Sequence, residues 1–468
     1  MNYTKGKLMD EKLVESIVRR TIDTAESRLR KYVFTAGGKK RPERKPLAKL
    51  SEEIESFLKT RKNKLLVLYG LRGVGKTTML AQTYFKLLPQ IPRERIIYVS
   101  LDKLRPLGIS LNEFVQAYER LLGERVEEFS QPTFLFVDEA HYDENFGITV
   151  KDLYDSASNL MIVVTGSSSL PLKFDPDLMR RAKRLRVHPL TFTEYLLLKR
   201  GVQIPRELNE ALKHALLNCD FSGIEEKING VLLKFSEKDV EEYLIQGSLP
   251  IYLTSKSPLE DSYETLRKIV EVDLVREGLS ETTREKALGL LLLLASGESL
   301  AYDNLSSTLG LAKGTIEKLI EKLEDLEVIF PIRAYGSLGK VARKTPKYKF
   351  LAPILRSTVL YEFGLFERDS KTLGMLLEDA VALYLHLLAR ERKAKLHYDA
   401  QKGGADFILK DHSKGIVVEI GWGKKGLRQV IKTMKKTGLD RGLVIYNGQL
   451  KKKDNVWFVP RELFLLML

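Results

Sequence analysis

Gly70-Leu71-Arg72-Gly73-Val74-Gly75-Lys76-Thr77-Thr78 is a stretch whose residue types suit phosphate binding. Its glycines let backbone N–H groups wrap phosphate oxygens, the Lys76 ammonium reaches β- and γ-phosphates, and the Thr77 hydroxyl ligates Mg²⁺. Gly70, Arg72, Gly73, Val74, Gly75, Lys76, Thr77 and Thr78 are therefore the candidate contacts for ATP. About sixty residues on, Thr133-Phe134-Leu135-Phe136-Val137 runs into the carboxylate pair Asp138-Glu139. At such a position Asp138 supports Mg²⁺ through water, and Glu139 polarises the attacking water. A third apolar run, Leu160 to Val164, ends in Thr165-Gly166-Ser167-Ser168-Ser169. Thr165 is expected beside the γ-phosphate, although a Ser-rich turn has the same composition.

These groups need a scaffold. Leu65 to Tyr69 reads as a buried strand that feeds the glycine-rich loop, and a helical pattern follows through Leu88, whose N-terminal dipole favours an anion. With strands at Arg95 to Leu101, Thr133 to Asp138 and Leu160 to Val164, the alternation predicts a parallel α/β sheet. Asp138-Glu139-Ala140-His141 also spells a helicase box. That reading fails because no second RecA-like domain and no Arg-rich closing motif follow.

A chain of 468 residues exceeds one core, so two to four domains are expected. Apolar content of 44% beside 30% charged residues fits a soluble protein. The longest strongly apolar stretch, Leu288 to Ala295, is too short to cross a bilayer, and no signal-peptide core interrupts the charged N-terminus. The single cysteine, Cys219, excludes a disulfide framework and a four-cysteine zinc site. A cytoplasmic protein without a membrane is expected. Its formal charge of +15 points to a polyanionic partner.

The ATPase motifs, with Met179-Arg180-Arg181-Ala182, His188 to Leu196 and Gln246-Gly247-Ser248-Leu249-Pro250, resemble a prokaryotic and archaeal family. Its members are AAA+ ATPases carrying a C-terminal winged helix and a PD-(D/E)xK nuclease-like domain. The resemblance implies an α/β fold with an ASCE/AAA+ P-loop core at 47–200 and a helical lid at 201–283. A winged helix-turn-helix at 284–352 and a nuclease-like domain at 353–468 follow. It also makes Arg181 a candidate sensor or finger toward nucleotide, and a homo-oligomer plausible by analogy. Residues 1–46 read as a helix with an apolar stripe (Leu13, Ile17, Ile22, Ala25, Leu29) and a basic linker; the stripe must bury against this chain or a neighbour.

The winged region reads as helices at 288–295 and 302–309, a third opened by Lys313 and Thr315, and strands at 328–333 and 348–351. Lys313, Thr315 and Lys318 lie on the face that enters a major groove in such modules, diluted by Glu317 and Glu321. Between Glu327 and Glu362 no acid occurs, while Arg333, Lys340, Arg343, Lys344, Lys347, Lys349 and Arg356 do. These, with Lys424 and Lys425, are the candidate DNA contacts. In the last domain, Glu378 on a helix, Asp406 after a glycine turn and Glu419 at a strand end match the family's metal-binding carboxylates. The motif lysine two positions after Glu419 is replaced by Gly421. Lys424 and Lys425 are the nearest cations able to reach its place, and a non-cleaving domain is expected. Trp422 is a candidate for base stacking or for core packing. Three readings result: an Mg²⁺-dependent ATPase that binds DNA, an ATP-gated nuclease using Glu378, Asp406 and Glu419, or an ATPase-switch signalling or defence scaffold that binds protein.

Overall fold

The computed structural model describes residues 2–468 other than 168, 171–173, 175, 229, 298–300, 412–413 and 424, and omits the side chains of 2–10, 338, 340 and 342. The chain forms two compact units, Met1–His188 and Pro189–Leu468.

In the first unit β1 (Lys64–Tyr69), β2 (Ile96–Ser100), β3 (Thr133–Asp138), β4 (Leu160–Gly166) and β5 (Lys183–Arg186) form one sheet in the order β2-β3-β4-β1-β5. Every pairing is parallel. β3 and β4 are buried along their whole length, which is why they read as unbroken apolar runs rather than alternating ones. Parallel register brings the C-terminal ends of β1, β3 and β4 to one edge, the usual place for a ligand in an open α/β sheet.

Helix α1 (Asn2–Val33) settles the N-terminal stripe. Val18, Ala25, Leu29 and Val33 are buried, and Val18 joins the core cluster of the sheet, with Val14, Ile17 and Ile22 packed against it. The stripe therefore covers this chain's own first unit. Leu13, expected on it, is 59% exposed and lies off the buried face. After α1 come α2 (Lys45–Thr60) and α3 (Lys76–Leu87). Then α4 (Leu111–Leu122) opens on a reciprocal Ser110–Glu113 cap.

The second unit begins with α5 (Phe192–Arg200), capped by Thr191 and Glu194. The motif segments around 190 and 246–250 meet here: Leu190 N–H donates to Ser248 O at 2.9 Å, and Tyr243 Oη to Leu190 O at 2.9 Å. A side chain at Gly247 would lie 2.6 Å from the Tyr195 ring, so the motif glycine permits that packing.

Beyond further helices lie α6 (Ala287–Ala295), α7 (Tyr302–Leu309) and α8 (Lys313–Asp325), and then the antiparallel hairpin β6 (Ile329–Ala334) and β7 (Lys347–Phe350). The hairpin is the edge of a larger sheet: β6 pairs in parallel with β8 (Lys395–Tyr398) through Arg333↔His397 and Ala334↔Tyr398. With β9 (Phe407–Lys410), β10 (Gly415–Ile420), β11 (Gly442–Tyr446), β12 (Lys451–Lys453) and β13 (Val456–Pro460), the order is β12-β13-β11-β10-β9-β8-β6-β7. Strands expected on either side of 352 thus share one sheet.

Two helices brace it, α9 (Pro353–Glu362) and α10 (Ser370–Arg392). On α9, Arg356 makes a two-pronged ion pair with Asp379 of α10, at 2.5 and 3.0 Å. The same guanidinium caps the end of α6 through Leu294 O and Ala295 O. By length and composition α10 is apolar enough to cross a membrane, contrary to the expectation that no stretch is, but most of it is buried inside the protein.

Candidate functional site

The glycine-rich loop leaves β1 and enters α3. Gly70, Gly73 and Gly75 all have positive φ, and a Cβ on Gly70 would lie 2.3 Å from the Val187 carbonyl oxygen. That close approach requires glycine. Lys76, 7% exposed, donates to the carbonyls of Gly70 (2.9 Å) and Leu71 (3.0 Å), so its ammonium is stored over the loop it serves. Arg72, Thr77 and Thr78 are half-buried around it.

Asp138, at the end of β3, is 2% exposed and receives three hydroxyls. Thr77 Oγ1 donates to Oδ2 at 2.8 Å, Tyr98 Oη to Oδ2 at 2.7 Å, and Thr165 Oγ1 to Oδ1. The three donors come from the loop, β2 and β4, so the carboxylate ties three elements together. Burial, then Asp138, pushes the Tyr98 hydroxyl well above its ordinary range and keeps it a donor. Thr77 and Asp138 bring together the hard oxygen donors that Mg²⁺ prefers, and the residues fit that ion.

Glu139 follows with φ of 52°, a left-handed turn that is uncommon outside glycine and worth notice in a candidate base. Its N–H donates to Thr165 Oγ1 at 3.2 Å, and its carboxylate lies 3.4 Å from His141 Nε2. His141 thereby gains a place that its sequence left open. Arg181 closes the helix Pro176–Arg181, where it pairs with Asp155 at 2.8 Å and Asp177 at 3.0 Å and lies over the Tyr154 ring.

Sequence reasoning missed Tyr98 and Arg44. Arg44, 8% exposed at the start of α2, donates to Val74 O at 2.5 Å and to His188 O at 2.9 Å. A cation in a basic linker carries no signal that distinguishes it from Lys39 or Lys40. The apolar company of Tyr98 on β2 hides it equally well.

A second cluster lies in the other unit. Glu378 on α10 pairs with Lys349 of β7 at 2.7 Å. Burial pushes its carboxyl up, but Lys349, Lys347 and Arg356 hold it below the ordinary range. Asp406 immediately precedes β9 rather than lying in it, and accepts from Ile420 N–H at 2.8 Å. Burial, then Glu378 and Glu419, pushes it up to about 7. Glu419 on β10 is fully buried. One oxygen accepts from Lys425 Nζ at 2.6 Å, and the other has no hydrogen-bond partner among the described residues.

Gly421 explains the reach of Lys425: a Cβ there would lie 2.2 Å from Lys425 Cγ, so the lysine stem passes over the glycine. The ammonium thus meets the glutamate whose motif lysine the chain lacks. Among the described residues no group of three His, Cys, Asp or Glu is placed to hold a metal ion. Ion pairs to Lys349 and Lys425 occupy two of the three carboxylates instead.

The expected DNA contacts divide. Arg333, Arg343, Lys344 and Lys347 are exposed on the hairpin, and Lys318 on α8. Lys313 pairs with Asp303 at 3.5 Å, and Thr315 is half-buried. Facing the hairpin, α8 presents Glu317, Glu321 and Glu324 into a cleft of about 540 Å³, with Glu324 pushed up to about 7 by burial. The acids that dilute this helix therefore lie on its hairpin side. Lys424 and the Lys340 side chain lie outside the described residues. Arg461 stacks on the Trp422 ring at 3.5 Å, which favours the packing role for Trp422. Cys219 is buried and His214 exposed.

The parallel sheet, the loop and the Asp138 constellation define a P-loop AAA ATPase-like core. The AAA domain family AAA_14 matches residues 62–196, and a domain of unknown function, DUF8612, matches 237–362. The chain belongs to the same family as Uncharacterized protein MJ1637 of Methanocaldococcus jannaschii. The two are 37% identical over 426 residues, covering 90% of this chain and 88% of that protein. It is also similar to Uncharacterized protein MJ1544 of that organism, 24% identical over 406 residues, covering 84% and 81%. Among solved structures, the Aeropyrum pernix Orc1 protein in complex with DNA is 16% identical with a TM-score of 0.31, over 68% of this chain and 91% of that one. So slight a likeness carries no argument.

Proposed function

We propose that the chain is a cytoplasmic, Mg²⁺-dependent ATPase that binds DNA through its C-terminal half. In this reading α6 to α8 with the hairpin β6–β7 act as a winged helix, and β8 to β13 with α10 as a PD-(D/E)xK-like domain. The observation that carries the ATPase reading is the convergence of Thr77, Tyr98 and Thr165 on Asp138, beside Lys76 and Glu139. Lys76 leaves the carbonyls of Gly70 and Leu71 to meet the β- and γ-phosphates as ATP enters. Thr77 and Asp138 would hold Mg²⁺, which would supply charge neutralisation on the phosphates. Glu139 accepts the proton of the attacking water, and Thr165, bonded to both Asp138 and Glu139 N–H, orients the pair. Arg181 is the sensor or finger arginine, acting within the chain or across a homo-oligomer.

The DNA reading is supported by the exposed hairpin cations and by a net charge of +15. ATP hydrolysis with and without duplex, forked and single-stranded DNA tests both, with Glu139→Gln as control. Hydrolysis lost by about 10²–10⁴-fold in the variant, with nucleotide still bound, supports the ATPase assignment. Stimulation by one DNA form supports coupling. Indifference to every DNA, with no binding at low salt, overturns the DNA reading in favour of a protein-binding switch.

A second reading, an ATP-gated nuclease, is favoured by the Lys425–Glu419 contact over Gly421. Cleavage in Mg²⁺ or Mn²⁺ that disappears with Asp406→Ala supports it; intact DNA under both ions overturns it.

A further inference from the structure

Between the hairpin, the start of α10 and the loop 399–404 lies a cleft of about 780 Å³. Lys344 and Lys347 line it from the hairpin side, Lys371 from α10 and Lys402 from the loop. We infer that this cleft binds a single nucleic-acid strand, its successive phosphates met by these four lysines. The inference rests on the DNA-binding reading and names the form of DNA and the place.

Lys349 is paired with Glu378, and Arg356 with Asp379. Asp399 is held by Lys436 and by Thr433 Oγ1, which donates at 2.8 Å. None of Lys344, Lys347, Lys371 and Lys402 forms an ion pair among the described residues. Asp406, which also lines the cleft, accepts from Ile420 N–H at 2.8 Å, which leaves four unpaired lysines against one unpaired acid among the described residues. The lining is therefore strongly cationic, the electrostatic condition for tracking a phosphate backbone.

Size and shape decide between strands. A volume of about 780 Å³ falls among pockets of about 300–1,000 Å³ that enclose a compact ligand. A few nucleotides of single strand fit; a duplex does not. Four cations on three elements exceed what one mononucleotide phosphate engages but match a run of phosphodiesters.

The loop is shaped for close approach. Gly403 has φ of 68°, and a Cβ on Gly404 would lie 2.5 Å from Asp399 Cγ. Asp399 gathers the loop by also accepting from Gln401 N–H at 3.1 Å. The amides of Gln401 and Gln429 face the same cleft and can donate to phosphate or base oxygens.

The test is fluorescence anisotropy at low salt on the full chain, with a labelled oligothymidine and a duplex of equal length. The wild type is compared with Lys371→Glu/Lys402→Glu and with Lys451→Glu/Lys453→Glu on β12, outside the cleft. The inference expects at least about tenfold weaker oligothymidine binding for the cleft variant, with little change for the β12 variant and for duplex. The slope of log affinity against log salt should also fall by about 0.7 for each lost contact. Equal binding of oligothymidine by the wild type and a correctly melting cleft variant overturns it, as does equal competition by thymidine monophosphate. If the wild type binds neither strand nor duplex, the DNA-binding reading itself fails. Duplex bound without single strand sinks only the cleft.

Discussion

At the scale of single residues, Lys425 and Glu419 are unequal partners. Glu419 is fully buried, and among the described residues one ammonium, at 2.6 Å, meets its carboxylate. Removing that ammonium strands a buried charge, which costs about 3–5 kcal/mol, whereas removing both partners costs far less. Urea unfolding should therefore find Lys425→Met much less stable than the double variant Lys425→Met/Glu419→Gln. Additive losses would show that the contact is not formed in solution.

Asp406 gives a pH signature. Its neighbours are Glu378 on α10, Glu419 on β10, Lys347 on β7 and the Ile420 N–H. Unfolded, it ionises near 3.8; folded, near 7. The folded state therefore binds the proton more tightly. Its advantage is complete below about pH 4 and is lost as pH rises toward 7. Glu378, held below its ordinary range, acts in the opposite sense and in a more acidic window. Urea midpoints between pH 4 and 8 should fall more steeply for the wild type than for Asp406→Asn; parallel curves would refute the shift.

At the scale of elements, Arg44 links the start of α2 to the phosphate loop and to the segment after β5, by way of Val74 O and His188 O. It touches no substrate, so its role is positioning. Arg44→Ala should raise KM for ATP several-fold while leaving kcat nearly unchanged, because the loop loses preorganisation but Glu139 and Asp138 do not move. A fall in kcat alone would contradict this. Gly70 is constrained more tightly: with the Val187 oxygen 2.3 Å from any Cβ, even alanine would force β1 and the chain after β5 apart.

At the scale of the whole molecule, the second unit is held by a buried charge rather than by apolar contact alone. Arg356 and Asp379 are both essentially excluded from solvent, and the same guanidinium closes the end of α6. Arg356→Met should destabilise this unit by about 3–5 kcal/mol by leaving Asp379 unpaired, while Arg356→Met/Asp379→Leu should recover most of it. Proteolysis should then cut the second unit of the single variant first. Uniform resistance of both variants would mean that the pair does not hold the helices in place.

The P-loop core was legible along the chain, because its signals are local. Glycines, a lysine and a threonine adjacent along the chain form the loop, and fully buried parallel strands read as unbroken apolar runs whose ends carry Asp138 and Thr165. The helix and hairpin pattern from 287 to 350 was legible for the same reason. Only the tertiary structure decided which side chains meet across long separations. Tyr98 reaches Asp138 because β2 lies beside β3, and α1 covers its own core because Val18 finds the sheet. The hairpin joins the C-terminal sheet through two residue pairs that no local pattern encodes. Lys425 takes its place at Glu419 because the absent side chain of Gly421 leaves the space, so the departure that made the motif look broken is what admits the ammonium. Periodicity and motif spacing report on neighbours in sequence; ion pairs, shared sheets and clefts depend on distances that only packing sets.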